Sequence, residues 1–131
     1  MNAHRYQDGR AGFQVDVVDD LRSAVGDDSG AFIAHLVGVY RIQAGQALDD
    51  MRRAASAQDH EKLRRVAHAL RGSTLALGGT SLGALCARLE RPDAAEADRT
   101  NILAAMSQES LAMLRELDAY LSDRMIQAHE S

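Results

Sequence analysis

Residues 60–77 read HEKLRRVAHALRGSTLAL, and the spacing of their apolar side chains decides the fold. On a helical wheel at about 100° per residue, Leu63, Val66, Ala67, Leu70, Thr74 and Leu77 fall within roughly 50° of one direction. That direction must face a core. His68 lies about 140–150° away from it, and Gly72 nearly opposite. Glu61, Arg64, Arg65, Leu75 and Gly79 share the outer half, with Arg71 on its flank. The stretch predicts an amphipathic helix from His60 to about Leu77, capped by Asp59 and ended by Gly78-Gly79.

The flanking sequence repeats this pattern. Residues 1–13 read as a flexible tail, and a short helix follows over Val15–Val25, with Val18, Leu21 and Val25 at helical spacing. Gly26-Asp27-Asp28-Ser29-Gly30 interrupts it, offering Asp28 or Ser29 as the cap of the next helix. That helix runs to about Ala57 with a near-heptad stripe of Ile33, Leu36, Tyr40, Ala44, Ala47, Met51 and Ala54 or Ala55. Beyond residue 79, Thr80 is the expected cap of a fourth helix, whose Leu82, Leu85, Cys86 and Leu89 share one face. Arg91-Pro92-Asp93 marks a turn. The last helix begins between Asp93 and Thr100 and reaches about Gln127. Its inward face holds Leu103, Met106, Ser110, Met113, Leu117, Leu121 and Met125. The expected fold is all-α: an up-down antiparallel four-helix bundle with a short extra N-terminal helix, a single domain over 14–131.

Composition agrees. The chain has 131 residues, 46% of them hydrophobic but only 4% aromatic, with no Trp and a single Pro. Such a balance suits helices better than sheets. The lone Cys86, expected as a buried small hydrophobe, excludes an internal disulfide and suits a reducing cytoplasm. No signal peptide or membrane span is legible. A net charge of −4 argues against nucleic acid.

Chemistry concentrates around His68. Residues three and four apart are neighbours on a helix, so His68, Arg71 and Gly72 form one exposed patch. A glycine inside a helix costs roughly 1 kcal/mol relative to alanine, so Gly72 needs a reason. Access is the reason read here: a bare patch of backbone beside an imidazole, over which another protein closes. Lys62, Arg64, Arg65 and Arg71 make this helix basic, as an acidic or phosphorylated partner would require. No histidine belongs to a metal-ligand cluster. His60 and His68 are eight apart, His35 reads as structural or solvated, and His4 and His129 lie near the termini. Without a phosphate-cradling glycine loop, the chain is not a kinase and is read as no enzyme.

Ala-His-Ala-Leu-Arg-Gly-Ser at 67–73, Leu77-Gly78, and Leu82, Leu85, Cys86 and Leu89-Glu90 closely resemble the histidine-containing phosphotransfer (HPt) family. The likeness extends over roughly residues 15–125, with Arg71 where the family more often has Lys. It implies that His68 accepts a phosphoryl group from a receiver-domain aspartate on Nε2 and relays it to another receiver. By the same likeness Arg71 stabilises phosphoryl oxygens, Gly72 admits the receiver, and Glu90 orients the imidazole. Arg64, Arg65, Leu75 and Gly79 are the expected docking surface. The partners implied are receiver domains and a hybrid sensor histidine kinase, with no cofactor here and Mg2+ on the receiver.

Three rivals are distinguishable. A sensor-kinase dimerisation domain would need His-Glu-x-x-x-Pro, but Ala69 follows His68 and no proline occurs before Pro92. A chemotaxis-kinase phosphotransfer domain would need several hundred more residues for its other parts. The remaining alternative is a helical docking module that binds a receiver or kinase without phosphotransfer. Met1 and the polar tail read as a stand-alone protein, expected to be a monomer.

Overall fold

The computed structural model describes residues 12–130, with side chains through Asp123. Residues 1–11, most of the expected tail, lie outside the described residues. Five helices follow in order: α1 (Val15–Val25), α2 (Ala31–Ser56), α3 (His60–Ala76), α4 (Thr80–Leu89) and α5 (Glu96–Glu130). No strand is present among the described residues. Helix α3 packs against α2 and α4, and α5 against α2 and α4, while α1 touches α2. Short turns make successive bundle helices antiparallel.

The apolar faces converge on one core, although Leu36, Ala47, Val66 and Leu85 of the expected stripes are only partly buried at its edge, and Val37 and Leu48 lie deeper than read. Ile33, Val37, Tyr40, Ala44, Leu48, Met51 and Ala54 of α2 meet Leu63, Ala67 and Leu70 of α3 and Leu82, Cys86 and Leu89 of α4. From α5 come Ile102, Leu103, Met106, Met113, Leu114, Leu117 and Tyr120. Ser110 is also buried, Leu121 is half-buried, and the side chain of Met125 lies outside the described residues. A buried polar cluster within this core is satisfied. Tyr40 shares a 2.7 Å hydrogen bond with Thr74 Oγ1 and lies 3.4 Å from Met113 Sδ. Burial pushes the Tyr40 hydroxyl up to about 12, so it stays neutral and ties α2, α3 and α5 together.

Differences from the sequence reading sit at the element ends. The tail is shorter than expected: Phe13 is buried, and its segment lies along the α3–α4 turn. Gln14 N donates to Gly78 O at 2.8 Å and Ser81 N to Gly12 O at 3.1 Å. On α1 the buried valines are Val15 and Val18, while Val25 is about half exposed at the helix end. Gly26 closes α1 in the left-handed region, at φ 68°. Helix α3 stops at Ala76, and Gly79 rather than Thr80 is the cap of α4. Asp59 caps α3 as expected, accepting from Lys62 N at 3.2 Å.

The α1–α2 turn is held by Asp27 rather than by the expected Asp28 or Ser29. Asp27 Oδ1 accepts from Phe32 N at 3.2 Å and Oδ2 from Ile33 N at 3.0 Å. Ser29 Oγ takes only Ala31 N, at 3.2 Å. Asp27 reaches the orphan amides of the α2 N-terminus because the turn coils back through Gly26 and Gly30. Arg22 locks this turn to α5, donating to the Asp27 and Asp28 carbonyls and to Tyr120 Oη, which donates to Asp19.

Desolvation at Asp27 favours the neutral acid, but the amides of Ile33 and Phe32 and the charge of Arg22 outweigh it. The carboxyl therefore titrates below its ordinary 3.8. A depressed folded value stabilises the fold above the ordinary carboxylate range, and that contribution is lost as pH falls through the folded value. Asp27→Ala should lower the thermal midpoint at pH 7, with the gap from wild type closing as pH falls below 3.8. Circular-dichroism melts would show this, and a gap that stayed constant into acid would contradict it.

Candidate functional site

Helix α3 can bury only one stripe, and Leu63, Ala67, Leu70 and Thr74 occupy it. Ala67 being fully buried, the next residue along must point away. The His68 side chain is 68% exposed. The chain then reverses within three residues: Gly78 N donates to Leu75 O at 3.0 Å and Gly79 N to Thr74 O at 2.9 Å. Gly78 takes φ 86°, and a Cβ there would lie 2.5 Å from Gln14 O. This tight turn sends α4 back along α3 and ends it beside His68.

Glu90, the C-cap residue of α4, closes the site. Its Oε1 is 2.6 Å from His68 Nδ1. Its Oε2 has an ion-pair contact of 3.1 Å with Arg71 Nε. Glu90 is 19% exposed, and Oε2 itself is buried and makes no hydrogen bond. His68 and Arg71, one turn apart on α3, thus face the same carboxylate. One turn below, Cys86 is fully buried. Burial, with help from the Glu90 charge and against Arg71, pushes its thiol up to about 12, so it serves as apolar filling.

Gly72 lies exposed one turn from His68, and a Cβ there would meet nothing within 4 Å. Packing therefore does not require the glycine. Arg65 is exposed, Arg64 half-buried and Leu75 44% exposed, so these three can face a partner. Gly79 cannot. It was placed on the outer face by extending the helical wheel past Ala76, but the chain has already left the helix there. Gly79 is buried, and a Cβ would lie 2.7 Å from Thr74 Cγ2 and collide with Met113. Gly83 was missed: it leaves room for Leu75, whose Cδ2 would be 2.6 Å from a Cβ there, letting α3 and α4 approach closely. A glycine on the apolar flank of α4 was the signal available. A cleft of about 610 Å³ lined by Arg52, His60 and Arg99 contains none of the site residues.

The family model of the Hpt domain matches residues 35–124, a span holding the whole of α3 and α4, which carry the site, and most of α2 and α5. The chain belongs to the Hpt domain family. Membership gives this Hpt domain a role in histidine-mediated phosphorelay signalling. It is 34% identical over 74 residues to "Multistep phosphorelay regulator 1" of Schizosaccharomyces pombe (strain 972 / ATCC 24843), covering 56% of this chain. The Hpt domain matches 25% of that relative's length. No solved structure matches it. Among the described residues no group of three or more His, Cys, Asp or Glu could hold a metal ion, and no helix is long and apolar enough to cross a membrane.

The two glycines should respond oppositely to alanine. Gly72→Ala adds a helix-favouring side chain in open space and should stabilise the domain by about 0.5–1 kcal/mol. Gly79→Ala drives a methyl group into Thr74 and Met113 and should cost about 1–3 kcal/mol. Urea unfolding of both variants checks this. A destabilised Gly72→Ala would mean the glycine is structural after all.

Proposed function

We propose that His68 takes a phosphoryl group onto Nε2 from an aspartyl phosphate of a receiver domain and yields it to the aspartate of a second receiver. The observation that carries this reading is the 2.6 Å contact between Nδ1 and Glu90 Oε1. An ionised carboxylate only accepts, so Nδ1 is the protonated nitrogen of the neutral ring. Nε2 then keeps its lone pair, on a side chain that is 68% exposed.

The transfer balances without an added acid or base. The Nε2 lone pair forms the N–P bond as the P–O bond to aspartate breaks, and the aspartate leaves as a carboxylate. The phosphorylated ring keeps its proton on Nδ1 and carries a positive charge, which Glu90 faces directly. On transfer to the second receiver, the same ring departs neutral with its Nε2 lone pair restored. Positioning and charge stabilisation do most of the work in such displacements. Here the positioning comes from a helix whose rotation is fixed by its core stripe.

The partners of this reading are receiver domains, one of them belonging to a hybrid sensor histidine kinase. Gly72 leaves α3 bare beside the imidazole, and Arg64, Arg65 and Leu75 frame it. The basic side chains suit the acidic surroundings of a phosphoaspartate. A reduced buried thiol at Cys86 fits a cytoplasmic setting.

Receiver domains loaded with radiolabelled phosphate provide the test. The wild-type chain should gain label that is lost in acid and kept in alkali, as a phosphohistidine is. His68→Gln should gain none while keeping its helical circular-dichroism spectrum, because the side chain it replaces is mostly in solvent. Equal labelling of His68→Gln, or binding of receivers without any labelling of wild type, would overturn the reading in favour of a docking module.

A further inference from the structure

The end of the bundle away from the α3–α4 turn holds a cleft that the site at His68 does not use. Its volume is about 610 Å³, a size that suits a small molecule. The end of α2 and the α2–α3 turn form one wall, and the first three turns of α5 form the other. His60 in its lining precedes His68 by eight residues, roughly 12 Å of helix. Gln58 shapes the first wall. It takes φ 57°, a left-handed setting in which glycine is usual, and Asp59 N then donates back to Ala54 O at 2.8 Å. A side chain is retained at this strained position, and it lines the cleft.

Cationic donors in the lining are held in place. Arg52 Nη1 donates to Asp49 Oδ1 at 2.9 Å, and Nη2 donates to Ser107 Oγ of α5. Asp49 lies outside the lining. Arg99 is half-buried and donates through Nη1 to the Ala94 carbonyl, a neutral group. No carboxylate pairs with Arg99 among the described residues. His60, half-buried too, has no side-chain hydrogen bond among them. Glu96 is the single carboxylate in the lining, so the two arginines leave it net positive. Both α3 and α5 begin here, at His60 and Glu96, with the positive ends of their dipoles. Ser56 and Ser107 add hydroxyls, and Leu103 and Ala55 add apolar surface. Guanidinium groups fixed on two walls offer more donors than the two oxygens of a carboxylate can accept. The three terminal oxygens of a phosphate match them.

We propose that this cleft binds a small phosphomonoester, with its phosphate between Arg52 and Arg99 and its organic part against Leu103 and Ala55. The site is independent of the proposed phosphoryl transfer. Amide NMR of the full chain tests it by titration with adenosine monophosphate, glycerol phosphate and inorganic phosphate, against sodium chloride at equal ionic strength. Both esters should give saturable shifts for residues 52–60 and 96–107, with dissociation constants below about 10 mM. Inorganic phosphate should bind more weakly. Arg52→Met and Arg99→Met should each weaken ester binding about tenfold. Ala104→Glu adds a carboxylate to the cleft wall from an exposed position. It should abolish binding, and it serves as the test if either arginine variant folds poorly. Arg53→Met should bind as wild type, because Arg53 is 73% exposed, pairs with Asp50 and lies outside the cleft. His68→Gln should bind as wild type too. Shifts that chloride reproduces, no saturation by either ester, or equal loss in Arg53→Met and Arg99→Met would overturn the inference. Equal affinity for inorganic phosphate would overturn the choice of an ester in favour of the free anion.

Discussion

The rotation of α3 about its own axis is the constraint on which the site depends. Leu63, Ala67, Leu70 and Thr74 are buried in the core, where α3 packs against α2 and α4, and their stripe admits only one setting of the helix. Thr74 adds a polar lock, since its hydroxyl is matched only where Tyr40 reaches it. A turn of even one residue position would bury His68 and expose Ala67. Buried side chains in a close-packed interior tolerate little of that. The imidazole is therefore aimed by residues that never touch it.

A second constraint sets where α4 ends. His68 precedes the end of α3 by eight residues, roughly 12 Å of helix, and Glu90 follows the start of α4 by ten, roughly 15 Å. Lengths so nearly equal place the two opposite each other only if the reversal between them is tight. Gly78 and Gly79 supply that reversal, and the Gly12–Gln14 segment covers it with two backbone hydrogen bonds. The buried Phe13 anchors this cover. A bond at one end of the helix pair thus depends on packing at the other.

This division explains what could be read from the residues. Apolar spacing is a property of each helix alone, so the five helices, their core stripes and the outward aim of His68 were legible. Capping by Asp27 was not, because it depends on a turn that coils back over five residues to reach Phe32 N. Phe13 looked like part of a polar tail, since nothing local says that the α3–α4 turn lies beside it. Gly79 was misplaced because a wheel has no means of showing where its helix stops. The tie between Glu90 and His68 was available from family likeness alone, and that between Glu90 and Arg71 from neither source, because it joins side chains across two helices.

The contrast between Gly72 and Gly79 separates two uses of the same residue. Gly79 is small because Thr74 and Met113 leave no room, so its identity is fixed by this chain's own packing. Gly72 has open space before it, and helix propensity argues for alanine there. On the proposed reading its advantage lies outside the folded chain, in what approaches His68. The imidazole is 68% exposed and stands in water until something covers it. Phosphoryl transfer needs that water displaced and the three reacting groups held in line. The chain supplies a fixed nucleophile and its countercharge. In the proposed transfer, a partner surface resting on the bare backbone at Gly72 would supply the enclosure.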